Sequence, residues 1–251
     1  MKIEISSRSN PRLRELLARK EELFFFEGEK LVTDILARSL RVSHLIISAD
    51  MEERLPRMSA VVGEIWRVSR PVLEKISELK TPPGIIAVLE MADREIDLPG
   101  QKIVFALDTV QDPANLGAVF RCASAFGISA LALAGGCVRA NHPKVVRAAQ
   151  TALIDVPFQV FPDLEDLIAR AQSQRVRIYA TGSHDREGTL AVEKMEWPCL
   201  VLFGSEGRGL EKDILRRFPL IRLDQHARID SLNLAVSACI VMHEVRRVHG
   251  W

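Results

Sequence analysis

Short apolar runs alternate with stretches of helical periodicity over the second half of the chain. The apolar runs are rich in Val, Ile, Leu and Ala, as buried strands are, and they cover 102–108, 130–134, 155–161, 176–182, 199–204 and 219–223. Apolar residues at helical spacing follow them, at 115–126, 143–153, 162–173, 211–217 and 231–248. Strands without a polar face, separated by helices, are characteristic of a parallel sheet covered on both sides. We therefore predict a parallel α/β domain over this half.

The chain before residue 91 has a smaller and more mixed pattern. Asn10 can cap a helix that begins at Pro11 and continues to about Phe24, and a second helix follows from about Glu27. Candidate strands occupy 43–48, 64–68 and 84–90, with a further helix after residue 69. These elements predict a small α/β unit.

The two patterns meet at a segment with no periodicity. Residues 91–101 are acidic and contain Pro99 followed by Gly100, which is typical of a linker. We therefore expect two domains, residues 1–95 and 96–251.

Composition places the chain among ordinary globular proteins. Hydrophobic residues make up 47% and charged residues 27% of the sequence, which excludes a disordered chain. The longest apolar stretch, near residues 127–138, is interrupted by glycines and falls short of the ~20 residues that span a bilayer. The N-terminus lacks the apolar region of a signal peptide. We expect a cytoplasmic protein without membrane contact.

Cysteine and histidine spacing favours no metal site. The cysteines Cys122, Cys137, Cys199 and Cys239 form no CxxC pair, and the six histidines form no HExxH or HxxxH pair. We expect reduced, mostly buried thiols and no bound metal.

Charge is balanced overall but unevenly distributed. The net charge is only +1, yet residues 1–20 carry six basic residues against two acidic ones. A second stretch, 113–154, has no acidic residue and contains Arg121, Arg139, Lys144 and Arg147. Such clusters are either solvated helix faces or a surface that binds an anion such as RNA.

Three loops after candidate strands carry the polar residues most suited to chemistry, because ligands bind beyond the carboxyl ends of parallel strands. The first follows Asp108 and leads into a helix with Asn115 and Arg121, and no acidic residue neighbours Arg121 in sequence. An exposed arginine on an amphipathic helix is the plain alternative.

The second loop, 204–209, is rich in glycine and follows a buried strand. It matches neither the dinucleotide fingerprint nor the P-loop, so a simple tight turn is an alternative, although Glu206 between two glycines is unusual for one. The third loop contains Ser231 and Asn233 before the last helix. Ser231 can cap that helix, and both residues have capping as their alternative role.

Together these loops resemble the SpoU (TrmH-type) branch of the SPOUT RNA 2′-O-ribose methyltransferases. The first motif is met by Asn115, Gly117, Ala118, Arg121, Ala125, Phe126 and Gly127. The second is met by Gly204, Glu206, Gly207 and Gly209, and the third by Ser231, Leu232 and Asn233. Residues 142–149 look like a further family segment, and 6–16, 24–32 and 80–88 look like the RNA-substrate-binding domain of many members.

The resemblance implies a fold and an activity that periodicity alone does not. It implies a C-terminal SPOUT-type parallel-sheet domain with a deep trefoil knot, a homodimer with sites at the interface, and S-adenosylmethionine as cofactor. Gly204, Leu223, Leu232 and Thr181 would hold the cofactor. The reaction centre would consist of Asn115, Arg121, Glu206, Ser231 and Asn233. The first domain favours ribosomal RNA over tRNA as the substrate.

The role of Arg121 has two interpretations. The family's usual account makes this arginine the base, but an arginine is protonated at neutral pH, so we favour a role in holding phosphate and stabilising the ribose oxygen as it loses its proton.

The chain departs from the family pattern at two places. Leu223, Asp224, Gln225 and Ala227 stand where many members have Ile-Pro-Met and a following Gly before the third motif, and Gln150 and Thr151 stand where a Ser-x-Gly pair is common. Two other functions are alternatives to this family assignment. A Rossmann-type methyltransferase is disfavoured, because it would place its glycine-rich loop after the first strand, whereas Gly204 follows the fifth candidate strand. A catalytically inactive RNA-binding protein on the same scaffold is disfavoured by the intact motifs.

Overall fold

The computed structural model describes residues 2–54, 61–182, 189–221, 223 and 231–250, with the backbone alone described at 53–54 and 189–190. Contacts divide the chain into two compact units. The first unit comprises Met1–Ala92 and Ala140–Thr151, and the second comprises Asp93–Arg139 and Ala152–Trp251. The expected boundary between residues 95 and 96 stays a prediction, and the segment 140–151 belongs with the first unit by its contacts.

The described residues form twelve strands and nine α-helices. The strands are β1 Lys2–Ile5, β2 Leu23–Glu27, β3 Arg41–Ser48, β4 Val61–Val68, β5 Ile85–Glu90, β6 Ile103–Asp108, β7 Ala130–Ala134, β8 Phe158–Val160, β9 Arg177–Thr181, β10 Thr189–Leu190, β11 Cys199–Phe203 and β12 Leu220–Ile221. The helices are α1 Pro11–Ala18, α2 Glu29–Leu36, α3 Arg70–Ile76, α4 Pro113–Phe126, α5 Pro143–Ala149, α6 Ala152–Asp155, α7 Leu164–Ser173, α8 Lys212–Arg217 and α9 Leu234–His249. Short 3₁₀ turns cover Ala49–Arg54 and Val192–Lys194.

The first unit is built on a mixed five-stranded sheet in the order β1-β4-β3-β5-β2. Strands β1, β4 and β3 are parallel, and β5 runs antiparallel to both β3 and β2. Helices α1 and α3 cover a core that contains Leu13, Ile46, Trp66 and Val72. The predicted small α/β unit is confirmed in outline.

The prediction for the first helix was partly wrong. Asn10 caps α1 through its side chain, which accepts a hydrogen bond from the backbone of Arg12, but α1 ends at Ala18 instead of near Phe24. Residues 23–27 form β2, paired with β5. The three consecutive phenylalanines in β2 are buried on both faces of the sheet, and this tertiary environment outweighs the local helical spacing.

The second unit confirms the predicted parallel sheet. Its seven strands are all parallel, in the order β10-β12-β9-β11-β6-β7-β8. Every residue of β7 and β11 is buried, as expected of strands with helices on both sides. Strand β8 is shorter than the predicted run 155–161, and β10 was not predicted.

The predicted helix 143–153 is two helices. Gln150 has a φ of 55°, a conformation that ends α5 before α6 begins. Helix α5 packs in the first unit, where the side-chain amide of Asn141 donates to the backbone carbonyls of Glu21 and Leu23 at 2.7 and 3.3 Å.

The basic stretch at residues 1–20 does not form a free basic surface. Ion pairs join Lys2 to Glu52, Arg8 to Glu74, Arg12 to Glu64, Arg19 to Glu22 and Glu90, and Lys20 to Glu78. The sequence count overstated this cluster because its acidic partners come from later parts of the chain, between residues 22 and 90.

The cysteines are free thiols, but the expectation that most are buried was wrong. Cys199 is buried, whereas Cys122, Cys137 and Cys239 are half-buried. Across the described ranges, no helix is long and apolar enough to cross a membrane.

Candidate active site

The carboxyl ends of four neighbouring strands form one edge of the second unit. Strands β12, β9, β11 and β6 lie side by side, so the loops that follow them meet at this edge. A cavity of about 360 Å³ lies there, within the usual range for small-molecule sites. It is lined by Thr181, Gly182, Phe203, Gly204, Ser205, Glu206, Gly207, Arg208, Gly209, Leu210, Leu215, Leu220, Ile221, Leu223, Ser231, Leu232, Leu234, Ser237 and Val241.

The glycine-rich loop folds back on itself at the carboxyl end of β11. The backbone of Gly209 donates to the carbonyl of Ser205 at 2.9 Å, and Gly209 has a φ of 65°. A Cβ added to Gly204 would lie only 2.0 Å from the backbone carbon of Gly209. Gly204 is therefore required for the close approach of the two ends of the loop.

Three polar side chains from three different loops form a continuous hydrogen-bond chain. The amide of Asn233 donates to Asn115 Oδ1 at 2.9 Å, and Asn115 Nδ2 donates to Glu206 Oε1 at 3.1 Å. The backbone of Asp112 donates to the same Glu206 oxygen at 3.4 Å. Asn115 is 9% exposed, so both hydrogen bonds of its amide are sheltered from water. The chain fixes the orientation of the Asn115 amide.

The last helix begins differently from the prediction. Asn233 caps α9, its side chain accepting hydrogen bonds from the backbones of Ala235 and Val236 at 2.9 and 3.2 Å. The predicted cap, Ser231, lies two residues before this position and lines the cavity instead. The Asn233 side chain thus joins the end of α9 to Asn115 because its oxygen caps the helix while its nitrogen is free to donate.

A strained turn supports the start of the first motif. Thr109 has a φ of 54°, and its single hydroxyl proton is shared between two acceptors, Asp108 Oδ1 at 3.0 Å and the carbonyl of Gly135 at 3.2 Å. Burial raises the pKa of Asp108, with the Thr109 hydrogen bond acting in the opposite direction. Gly135 has a φ of 64°, and a Cβ there would also lie 2.3 Å from that carboxylate, so the turn favours glycine at this position.

Arg121 lies further along α4 and is exposed. Within the part of the chain that the structure describes, it has no hydrogen bond or ion pair. Its neighbour Cys122 has a pKa raised to about 12 by burial and by a hydrogen bond with Cys239 on α9. This thiol is protonated at neutral pH and therefore a poor nucleophile.

The structure gathers most of the predicted site residues into two overlapping groups. Thr181, Gly204, Leu223 and Leu232, the predicted cofactor residues, all line the cavity, together with Glu206 and Ser231. Asn115, Glu206 and Asn233 form the hydrogen-bond chain. Arg121 belongs to neither group.

Sequence reasoning missed several residues of the site, and one departure lies outside the described residues. Phe203, Leu215, Ile221 and Ser237 also line the cavity. For Phe203 and Ser237 the sequence offered a signal, because Phe203 directly precedes Gly204 and Ser237 lies one helical turn after Asn233, whereas Leu215 and Ile221 are brought to the cavity only by the fold. Asp224, Gln225 and Ala227 fall outside the described residues.

Comparison with known proteins covers nearly the whole chain. Residues 102–243 match the model of the SpoU rRNA Methylase family, and residues 10–87 match the MRM3-like substrate binding domain. The 23S rRNA (guanosine(2553)-2′-O)-methyltransferase RlmP of Bacillus subtilis is 28% identical over 90% of this chain and 90% of its own length. An uncharacterized tRNA/rRNA methyltransferase of Synechocystis is 29% identical over 97% of this chain and 93% of its own length.

The fold has a matching solved structure. The crystal structure of the AdoMet-bound rRNA methyltransferase from Sinorhizobium meliloti superposes with a TM-score of 0.79 at 28% identity, covering 100% of this chain and 99% of that one.

Proposed function

The chain belongs to the SpoU rRNA methylase family, and from that premise we propose that it methylates the 2′-hydroxyl of a ribose in ribosomal RNA, using S-adenosylmethionine. The observation that carries the proposal is the hydrogen-bond chain of Asn233, Asn115 and Glu206, which lies against a cavity at the carboxyl edge of the parallel sheet. A relative with 28% identity is named as a ribosomal RNA 2′-O-methyltransferase.

The cavity suits S-adenosylmethionine in size and chemistry. Phe203, Leu220 and Leu232 offer apolar surface, while Thr181, Ser231 and Ser237 offer hydroxyl groups. Gly207 has open space where a Cβ would stand, so the loop leaves room for a ligand. When bound, the cofactor supplies an electrophilic methyl group on a sulfonium. Gly204, Leu223, Leu232 and Thr181 are the residues that we assign to holding it.

The hydrogen-bond chain positions the loops around the reacting groups. Asn233 anchors the third motif to α9, Asn115 anchors the first motif, and Glu206 anchors the glycine-rich loop. Methyl transfer to a hydroxyl is an in-line displacement, so the relative positions of these loops contribute directly to the rate. We assign these three residues, with Ser231, to orienting the ribose and the cofactor.

Arg121 supplies positive charge. It is exposed, and the described residues offer it no acidic partner, so its guanidinium is available to RNA. An arginine is protonated at neutral pH and carries a planar fork of donors that fits phosphate. We assign it to binding the phosphate beside the target ribose and to stabilising the 2′-oxygen as its proton leaves.

A homodimer through α9 completes the proposal. Val236 and Ile240 lie one turn apart on α9 and are 48% and 37% exposed. Large apolar side chains exposed on the same helix face are typical of an interface. The second copy of the chain is the partner that the family resemblance implies.

Methyl transfer from labelled S-adenosylmethionine to ribosomal RNA tests the proposed activity. A 2′-O-methyl group blocks alkaline cleavage of the linkage on its 3′ side, so the label is expected in an alkali-resistant dinucleotide. Label confined to mononucleotides would contradict ribose methylation.

A further inference from the structure

A second cavity lies in the first unit, on the face of the sheet that α1 covers. Its volume is about 310 Å³. It is lined by Arg12, Glu15, Leu16, Arg19, His44, Glu64 and Trp66. All of these residues fall within 10–87, the segment that matches the substrate-binding model. The candidate active site uses none of them.

Glu64 presents a fixed carboxylate to this cavity. Trp66 Nε1 donates to Oε2 at 2.7 Å, and Arg12 Nη1 donates to Oε1 and Oε2 at 3.1 and 3.3 Å. The hydrogen bond from Trp66 is the main reason why the pKa of Glu64 is lowered, so this carboxylate is ionised at neutral pH. A carboxylate can accept about four hydrogen bonds. Its described partners supply three, two of them on Oε2 and one on Oε1, so the position open to a ligand is on Oε1.

His44 presents an acceptor beside this carboxylate. The hydroxyl of Ser43 donates its proton to the carbonyl of Val88 at 2.8 Å, so its oxygen can only accept from His44 Nδ1, 3.1 Å away. Nδ1 therefore carries the ring proton, and Nε2 has a free lone pair. Burial lowers the pKa of His44, which keeps the ring neutral. The ring is held edge to face against Trp66, with centroids 4.8 Å apart.

His44 Nε2 and the Glu64 carboxylate are neighbouring hydrogen-bond acceptors, and neither has a proton to donate to the other. His44 Nε2 and Glu64 Oε2 are 4.0 Å apart, and with Nδ1 protonated neither atom can donate to the other. A ligand that brings adjacent N–H donors would place one on His44 Nε2 and the other on the open position of the Glu64 carboxylate. The side chains of His44 and Glu64 are only 20% and 30% exposed, so a ligand that pairs with both acceptors is favoured over one that leaves either without a donor.

The charge of the cavity disfavours a phosphate group. The side chains of Arg12 and Arg19 are balanced by those of Glu15 and Glu64, and His44 is neutral. Arg19 is further paired with Glu22 and Glu90. A neutral ligand with donors on one edge and acceptors on another fits this balance better than an anion.

We propose that this cavity binds an unpaired guanine base of the RNA substrate, with the N1 and N2 donors of guanine on Glu64 and His44. The proposal rests on the proposed function in taking RNA as the substrate. Guanine has two adjacent donors on its Watson–Crick edge, and its O6 and N7 acceptors suit arginine. Adenine and cytosine bring a single amino group each, and uracil brings one N–H between two carbonyls. Proteins that recognise RNA by its sequence form such hydrogen bonds with the edges of unpaired bases.

Binding of short single-stranded RNA to the full chain tests the proposal. Fluorescence anisotropy would compare a hexauridylate with the same oligonucleotide carrying one central guanosine. The expected preference for the guanosine oligonucleotide is at least about fivefold, the lower end for one specific base contact. Glu64→Gln replaces one acceptor with a donor and also removes the negative charge that pairs with Arg12, so it should abolish the preference without weakening hexauridylate binding.

A second variant and a matched control separate recognition from folding. His44→Phe keeps an aromatic ring against Trp66 but removes the Nε2 acceptor, so it should also lose the preference. Glu74→Gln changes a carboxylate of the same unit that is paired with Arg8 and Arg70, away from the cavity, and should keep the preference. Equal binding of both oligonucleotides by the unaltered protein, or a preference that survives Glu64→Gln, would overturn the proposal.

A second measurement distinguishes this proposal from the proposed function. Methyl transfer is measured separately, on ribosomal RNA with labelled cofactor. Guanine preference without transfer would reject the methyltransferase activity and support the cavity, whereas transfer without guanine preference would reject the cavity and support the activity.

Discussion

At the scale of single residues, Asn115 connects the parts of the site. Its amide accepts from Asn233 and donates to Glu206, and it is buried, so neither hydrogen bond can be replaced easily by water. Leaving a buried polar group unsatisfied costs about 1–3 kcal/mol. The three residues therefore act as one unit.

Substitution of Asn115 and Asn233 by alanine should show this coupling. We expect Asn115→Ala to lower the free energy of unfolding by about 1–3 kcal/mol and to reduce turnover, because the first motif loses its fixed position. Adding Asn233→Ala should cost less than the sum of the single changes, by at least about 0.5 kcal/mol. Denaturant unfolding of the two single variants and the double variant measures the coupling, and strict additivity would contradict the account.

Arg121 is expected to affect chemistry and leave the fold intact. It is exposed and makes no hydrogen bond with the described residues, so Arg121→Ala should leave thermal stability and cofactor affinity nearly unchanged. Turnover should fall at least ~10²-fold, the scale for loss of a group that stabilises developing charge. Arg246→Ala, an exposed arginine in the last turn of α9, is the matched control. Turnover near that of the unaltered protein at saturating RNA would refute the role assigned to Arg121.

The His44 ring makes the stability of the chain depend on pH. Burial holds the pKa of His44 below its value of about 6.5 in an unfolded chain, so between the two values the unfolded chain binds more protons. The contribution of His44 is therefore full above pH ~6.5 and is lost as the pH falls toward the folded value. We expect the drop in melting temperature between pH 8 and pH 5 to be smaller in His44→Phe than in the unaltered chain. An equal drop in both proteins would contradict this assignment.

At the scale of elements, the glycine-rich loop depends on one contact between backbones. A methyl group at Gly204 would meet the backbone of Gly209 and Leu210 at 2.0–2.3 Å, and backbone cannot move aside as a flexible side chain can. Gly204→Ala should therefore destabilise the protein by about 1–3 kcal/mol and weaken cofactor binding. Gly207→Ala, where an added Cβ meets nothing within 4 Å, should leave stability unchanged. Thermal unfolding measures the stability of the two variants, and calorimetry measures their affinity for S-adenosylmethionine. Equal stability of the two variants would contradict the expected clash at Gly204.

The sequence predicted correctly those strands in which every side chain has the same buried environment. The continuous apolar runs of β6, β7 and β11 identified buried parallel strands because both faces of those strands meet helices. Prediction failed at β2, where three phenylalanines follow a helical segment and only pairing with β5 decides the outcome. It also failed at Gln150, whose positive φ breaks a helix that its neighbours continue.

The candidate site was likewise predictable from the sequence only in part. The three motifs were visible in the sequence, since each is a short local pattern after a strand. The hydrogen bonds among Asn115, Glu206 and Asn233 join residues about a hundred positions apart, so only the folded chain reveals them. The cavity that contains His44 and Glu64 was not anticipated, because a histidine and a glutamate on neighbouring strands form no motif.

At the scale of the whole molecule, the proposed homodimer depends on the exposed apolar face of α9. Placing a charge there should separate the copies, because a buried unpaired charge is costly in an interface. We expect Val236→Glu combined with Ile240→Glu to halve the mass measured by light scattering while the melting profile remains cooperative. A mass of one chain for the unaltered protein, or an unchanged mass for the variant, would contradict a dimer through this face.

The central claim is that this site transfers a methyl group to a ribose oxygen of ribosomal RNA. The most direct measurement incubates the full chain with ribosomal RNA and methyl-labelled S-adenosylmethionine, hydrolyses the RNA in alkali and locates the label. Label is expected in one alkali-resistant dinucleotide, and its rate of incorporation should fall at least ~10²-fold when Arg121→Ala replaces the unaltered protein. Label in mononucleotides, or cofactor binding with no transfer to any ribosomal RNA, would contradict it.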